Sequence, residues 1–212
     1  MNTGSIGRIC PQANPAWELI AQQFLPAYLT GQPFNISAVE AAIAKASGSV
    51  PAQDPRTSED CLFLDVVTPE KVFKGKASKK APVLVWIYGG GYTAGEKTGF
   101  GQYNPSGLLK ASQASGSNGV VFVAINYRLG AFGWLAGPTL QADGTANAGL
   151  YDQRLALKWI QKYIHLFGGD ADRVTVMGES AGGGSIMHQI TAFGGLQGPA
   201  PFQQAILQSP GL

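Results

Sequence analysis

Charge is scarce in this chain of 212 residues. Asp, Glu, Lys and Arg make up 13% of it, and 15 basic against 13 acidic residues leave a formal net charge of +2. Such a balance supplies no basic field to recruit nucleic acid or an anionic bilayer surface. Its 45% apolar content is too high for a disordered segment. Long apolar runs are missing too: none approaches the roughly 20 residues needed to span a bilayer. Cysteine and histidine are also short, with two of each. Cys10 and Cys61 have no second ligand pair for a metal site. They are either two buried thiols in a reducing compartment or one disulfide closing a long loop in an oxidising one. Asn35-Ile36-Ser37 is an N-glycosylation sequon inside that stretch, whereas Asn104-Pro105-Ser106 is excluded by its proline. Residues 1–5 lack the basic and apolar regions of a signal peptide, in conflict with export.

Glycine is what the chain has in excess, 29 residues, about twice the average share and with no three-residue period. The fold must therefore require close backbone approach or unusual dihedrals repeatedly. The length suits one domain or two small ones, with a sizeable core.

Residues 14–29 read as an amphipathic helix carrying Trp17, Ile20, Phe24 and Tyr28, broken or kinked at Pro26. A second helix over 37–47 has Ser37 and Glu40 as a capping box and Gly48 as its end, and 49–57 reads as a loop. Short strands are expected at 62–67, 83–88, 120–126, 174–177 and 205–207, several of them continuously apolar as strands buried on both faces are. Helices are expected at 150–167, with Leu155, Trp159, Tyr163 and Phe167 four apart, and at 181–191. Five lysines within 71–80 read as a solvated loop. Strands alternating with helices predict an α/β fold with a mostly parallel sheet and flanking helices.

Gly178-Glu179-Ser180-Ala181-Gly182 fits G-x-S-x-G. Alone the pattern is weak in so glycine-rich a chain, but here it falls between a buried strand and a helix, the context of a nucleophile elbow. There a serine sits on a sharp turn at a helix N-terminus, whose partial positive field favours a developing oxyanion. Gly89-Gly90-Gly91 directly follows the 83–88 strand and can present backbone N–H groups to that oxyanion, joined by the N–H of Ala181.

Together with these, residues 58–66, 86–91, 126–133, 147–154, 167–170 and 178–183 occur in an order that resembles the type-B carboxylesterase/lipase family of α/β-hydrolases, which includes cholinesterases and fungal lipases. The resemblance covers about 58–212. It implies a carboxylic ester hydrolase acting on a small-molecule or lipid ester through an acyl-enzyme. Ser180 would be the nucleophile and Gly90, Gly91 and Ala181 the oxyanion hole; Gly178, Glu179 and Gly182 would complete the elbow, with Glu179 tuning the site. No metal or organic cofactor is implied. Cys61 matches the second cysteine of the family's first disulfide, which makes Cys10 its partner and 10–61 a lid or rim loop. Trp17, Phe24 and Leu25 in that loop are candidates to face an acyl chain or a lipid interface, or to pack on the body. Arg128 and Asp152 match a structural ion pair.

The same resemblance exposes a gap. The family orders its triad as Ser, then Asp or Glu, then His, and no acid occurs at 181–212. His188 follows eight residues along the nucleophile's helix, about 12 Å away along its axis, and His165 lies upstream; both read as ordinary helix residues. The expectation is therefore a partial α/β-hydrolase domain over 1–212 with the C-terminal half absent, from a secreted protein whose Met1 need not be the biological start. Alone it would be inactive. The alternative is a non-catalytic adhesion or scaffold homologue of the same fold. The sequence leaves oligomeric state open.

Overall fold

The computed structural model describes residues 7–13, 15–47, 54–75, 79–99 and 101–211. Five strands, β1 (Leu64–Val67), β2 (Ala81–Ile87), β3 (Val121–Ile125), β4 (Gly169–Glu179) and β5 (Gln204–Gln208), form one sheet in the order β1-β3-β2-β4-β5. Pairings β3–β2, β2–β4 and β4–β5 are parallel, while β1 runs antiparallel to β3. The helices are α1 (Ala16–Leu29), α2 (Ile36–Ser47), α3 (Glu70–Phe73), α4 (Ser106–Ser112), α5 (Gly130–Trp134), α6 (Pro138–Asp143), α7 (Ala148–Tyr163) and α8 (Ala181–Thr191). None among the described residues is long and apolar enough to cross a membrane.

β2 is central because it is apolar throughout. Val85 pairs with Val123 on one side and Val176 on the other, and Val83, Val85, Ile87, Val121, Val123, Ile125, Val174 and Val176 are all buried. Strand alternation puts Val83, Val85 and Ile87 on one face and Leu84 and Trp86 on the other. Leu157 and Ile160 of α7, Ile164 just after it and Ile186 of α8 complete the core cluster. The opposite face is less covered: Leu84, Thr175, Ile206 and Leu108 of α4 line a groove of about 620 Å³.

Several elements differ from the sequence reading. α1 continues through Pro26 to Leu29. A proline here forfeits only the bond to the Gln22 carbonyl, and Gln22 is exposed, so water can satisfy it. The apolar face of α1 is turned outward, with Trp17 62% and Tyr28 70% exposed and Phe24 and Leu25 also exposed. Phe24 packs instead on Tyr28 and on Phe34. Asn35, not Ser37, caps α2: its Oδ1 accepts from the Ala38 N–H at 3.1 Å, which starts the helix one residue early. Gly48 and 49–53 of the expected loop lie outside the described residues.

The helix expected to 167 becomes a 3₁₀ turn over Ile164–Phe167. Its buried stripe is Gln153, Leu157, Ile160 and Ile164, while Leu155 is 64% exposed. Spacings of four drift off a face of period 3.6, and the four-apart set instead forms an edge where Trp159 meets Tyr163 and Phe167. The lysine-rich segment is partly helical: Lys74 pairs with Glu70 in α3, and Lys71 donates to the Ser117 carbonyl.

Candidate active site

Ser180 sits where β4 gives way to α8, with φ 53° and ψ −124°. A serine gains nothing by itself from this left-handed conformation; the surrounding bonds impose it. The Ser180 N–H donates to the Gln208 carbonyl at 2.9 Å. The Ser180 carbonyl accepts from Gly211 at 2.8 Å and from Gly184 at 3.0 Å. β5 and the residues after it therefore clamp the turn from one side and α8 from the other.

The glycines allow three chain segments to meet at that point. A methyl group added at Gly182 would stand 2.1 Å from the Ile87 carbonyl oxygen, so α8 can lie against the end of β2 only without a side chain there. One added at Gly89 would stand 2.9 Å from the Ser180 Cβ, which places the glycine loop directly against the serine. Gly90 and Gly91 have φ of 111° and 60° and turn the chain so that the Gly90 carbonyl accepts from Thr93 and Ala94. Among the described residues, the amides of Gly90, Gly91 and Ala181 donate to no protein acceptor. Ala181 opens α8, where an N–H has no intrahelical partner.

The structure thus brings Ser180, Ala181 and the elbow glycines together with the triplet at 89–91. Ser180 Oγ is hydrogen-bonded to no described side chain, and His188 and His165 are both exposed. Glu179 is exposed beside the turn, and its Oε2 is 3.0 Å from where a Gly89 Cβ would lie. Burial first, and then the Glu179 and Glu96 carboxylates, push the Tyr103 hydroxyl above its ordinary pKa.

Three further residues shape the site beyond those the sequence points to. Tyr92, at φ 61°, donates its hydroxyl to the Gly211 carbonyl at 2.9 Å and rests on Trp134 with centroids 4.1 Å apart. Gln12 holds the same loop from outside, exchanging hydrogen bonds with both the carbonyl and the N–H of Gly95. Gly211 approaches closely enough that an added methyl would be 3.5 Å from Ser180 Oγ. Only Tyr92 could have been suspected, from its place after the triplet.

Cys10 and Cys61 are disulfide-bonded, with their Cα atoms 4.9 Å apart. The bridge anchors the segment that supplies Gln12 and Ala13, whose N–H donates to Thr93 at 2.7 Å, so the disulfide-closed loop borders the glycine loop. Arg128 grips Asp152 through Nε at 2.7 Å and Nη2 at 2.6 Å, and its own N–H donates to the same carboxylate. Asp152 is buried, and this pairing raises Arg128 further above its ordinary pKa. A buried Lys97 pairs with Asp65 at 2.5 Å. Each pair ties a loop residue that follows a strand to another element, Lys97 to β1 and Arg128 to α7.

A mostly parallel sheet, a strained serine between strand and helix, and a glycine loop laid against it match a partial α/β-hydrolase fold of the esterase type. The chain matches the Carboxylesterase family over residues 2–212 and belongs to it. It is 47% identical over 222 residues to Carboxylesterase patB of Penicillium expansum, with 99% of this chain and 39% of that protein covered. With the Secreted lipase of Arthroderma benhamiae it shares 46% identity over 163 residues, 76% of this chain and 31% of that protein. The solved thermophilic PNB esterase superposes with a TM-score of 0.66 at 32% identity, covering 97% of this chain and 33% of that one. The chain thus spans about two fifths or less of the length of these relatives.

Proposed function

We propose that the chain carries the nucleophile and oxyanion-hole portion of a serine carboxylic ester hydrolase. The observation supporting this most is the apposition of Ser180, on its strained turn, to a glycine loop whose Gly90 and Gly91 amides, with that of Ala181, have no acceptor among the described residues. In this reading Ser180 Oγ attacks the ester carbonyl and its proton passes to a general base. The N–H groups of Gly90, Gly91 and Ala181 receive the charge that develops on the carbonyl oxygen, each donor being worth about 3–4 kcal/mol of barrier. Collapse expels the alcohol, protonated by the conjugate acid of that base. Water then attacks the acyl-enzyme with the base again taking a proton, releasing the acid and restoring Ser180.

Base and orienting acid are assigned outside the residues described, since none of these engages Ser180 Oγ. We further assign residues 10–61 to a rim or lid loop whose outward Trp17, Phe24 and Leu25 meet a lipid interface. The disulfide and the exposed Asn35 sequon favour an oxidising, extracellular setting, as the name of the Arthroderma benhamiae secreted lipase does for that protein.

The test has two arms. The 212-residue chain is expected to hydrolyse p-nitrophenyl butyrate no faster than its Ser180→Ala variant. A polypeptide extended along the coding sequence past Leu212 is expected to turn the ester over, with Ser180→Ala lowering the rate at least about a thousandfold. Ser180-dependent turnover by the 212 residues overturns the missing base. Turnover of the longer chain that survives Ser180→Ala overturns the nucleophile.

A further inference from the structure

A cavity of about 970 Å³ lies away from Ser180: none of residues 89–91 or 178–182 lines it. That volume is at the upper end of what small-molecule sites occupy. Its apolar wall includes Phe132, Leu135 and Leu155. Arg128, Arg154 and Lys158 face it against a single carboxylate, Asp152, which Arg128 already engages. Two positive charges are left without an acid in the lining.

Arg154 is the telling residue. It is only 7% exposed, and its Nη1 donates to the Gln189 carbonyl and to Gln189 Oε1, both at 3.2 Å. Its guanidinium carbon lies 5.2 Å from the centre of the Phe193 ring, on the wall shared with a second hollow of about 300 Å³. Its Nε and Nη2 donate to no described acceptor, yet neither is sealed away among the buried, unpartnered atoms. For a side chain this buried, the solvent those donors meet is that of the cavities it lines. A guanidinium largely stripped of water, with its free edge turned to a cavity, is a receptor for a planar anion, which two parallel N–H bonds can hold.

We infer that this cavity binds an amphipathic carboxylate. The head lies on Arg154, with Lys158 at the exposed rim of α7, and an unbranched apolar tail follows Leu155, Phe132 and Leu135. The inference does not depend on the ester chemistry proposed for Ser180.

Isothermal titration of the 212-residue chain with sodium decanoate, below its micelle concentration and at low ionic strength, tests it. One saturable site is expected, weakened about tenfold by Lys158→Gln and again by Leu155→Asp, with no comparable heat from decan-1-ol. Both substitutions fall at exposed positions, so neither needs the core to tolerate it. Arg154→Gln is expected to abolish binding, with circular dichroism confirming that the variant is folded. Absence of a saturable site, equal binding by the Lys158 and Leu155 variants, or equally tight binding of the neutral alcohol overturns the inference.

Discussion

Replacing Gly182 by alanine tests how far packing overrides helix propensity at the elbow. Within an α-helix, Gly→Ala ordinarily stabilises by about 0.5–1 kcal/mol. Here the new methyl would lie 2.1 Å from the Ile87 carbonyl oxygen and 2.8 Å from that of Tyr88. Both are backbone atoms of the central strand and its continuation and cannot rotate aside. Restoring ordinary contact means moving α8 off β2 by roughly 1 Å, in a region where the core is fully buried, and overpacking of this kind costs about 1–3 kcal/mol. The propensity gain is smaller than that, so the expected net loss is about 1–2 kcal/mol. At this chain length it lowers the melting temperature by some 2–8 °C. Gly107 in α4 is the control: an added methyl there meets nothing within 4 Å, and Gly107→Ala is expected to leave the melting temperature level or raise it slightly. Differential scanning calorimetry of the three proteins decides. A Gly182→Ala variant melting at or above the parent would refute the steric account of the elbow.

Reduction of the Cys10–Cys61 bridge, which joins residues 51 apart, is expected to cost about 4 kcal/mol by release of loop entropy in the unfolded chain. The urea midpoint with and without reductant reads this, and coincident curves contradict it. Alkaline pH is a second lever. Tyr88 and Tyr127 stack with centroids 4.4 Å apart, and each hydroxyl donates to the other's carbonyl, at 3.1 and 2.7 Å. Burial holds both phenols above their ordinary pKa of 10.0. The folded state keeps these protons while the unfolded state releases them from about pH 10, so their stabilisation is intact below that pH and is lost as pH rises beyond it. Urea midpoints are expected to fall between about pH 9 and 11, less steeply in Tyr88→Phe; parallel declines for the two proteins contradict the assignment.

What could be read in the sequence was whatever has a short period. β2 and β3 showed as continuous apolar runs because both faces are covered, and the turn at Ser180 showed because its glycines are fixed by steric need within five residues. Leu155 misled because residues four apart look like a face when the buried stripe also needs a step of three. Pro26 misled because an exposed helix tolerates a lost hydrogen bond. Asn35 stands out in the sequence as a sequon, which masks its backbone role because a cap and a sequon draw on the same residue. The contacts that shape the site are long-range: Gln12 with Gly95, and Tyr92 with Gly211, are joined by sheet topology, which no local pattern encodes. The cavity at Arg154 was hidden for the same reason, since Phe193 reaches it from beyond α8.

The bonds that hold Ser180 in its left-handed turn also set the order of events during synthesis. Two of them come from Gln208 and Gly211, in β5 and just after it, so the strand and helix that flank the serine can form before the turn is locked. The strained turn is completed only once the chain through Gly211 has left the ribosome and β5 has docked beside β4. Until then the turn lacks both of those partners, and its strained backbone has nothing on the β5 side to hold it.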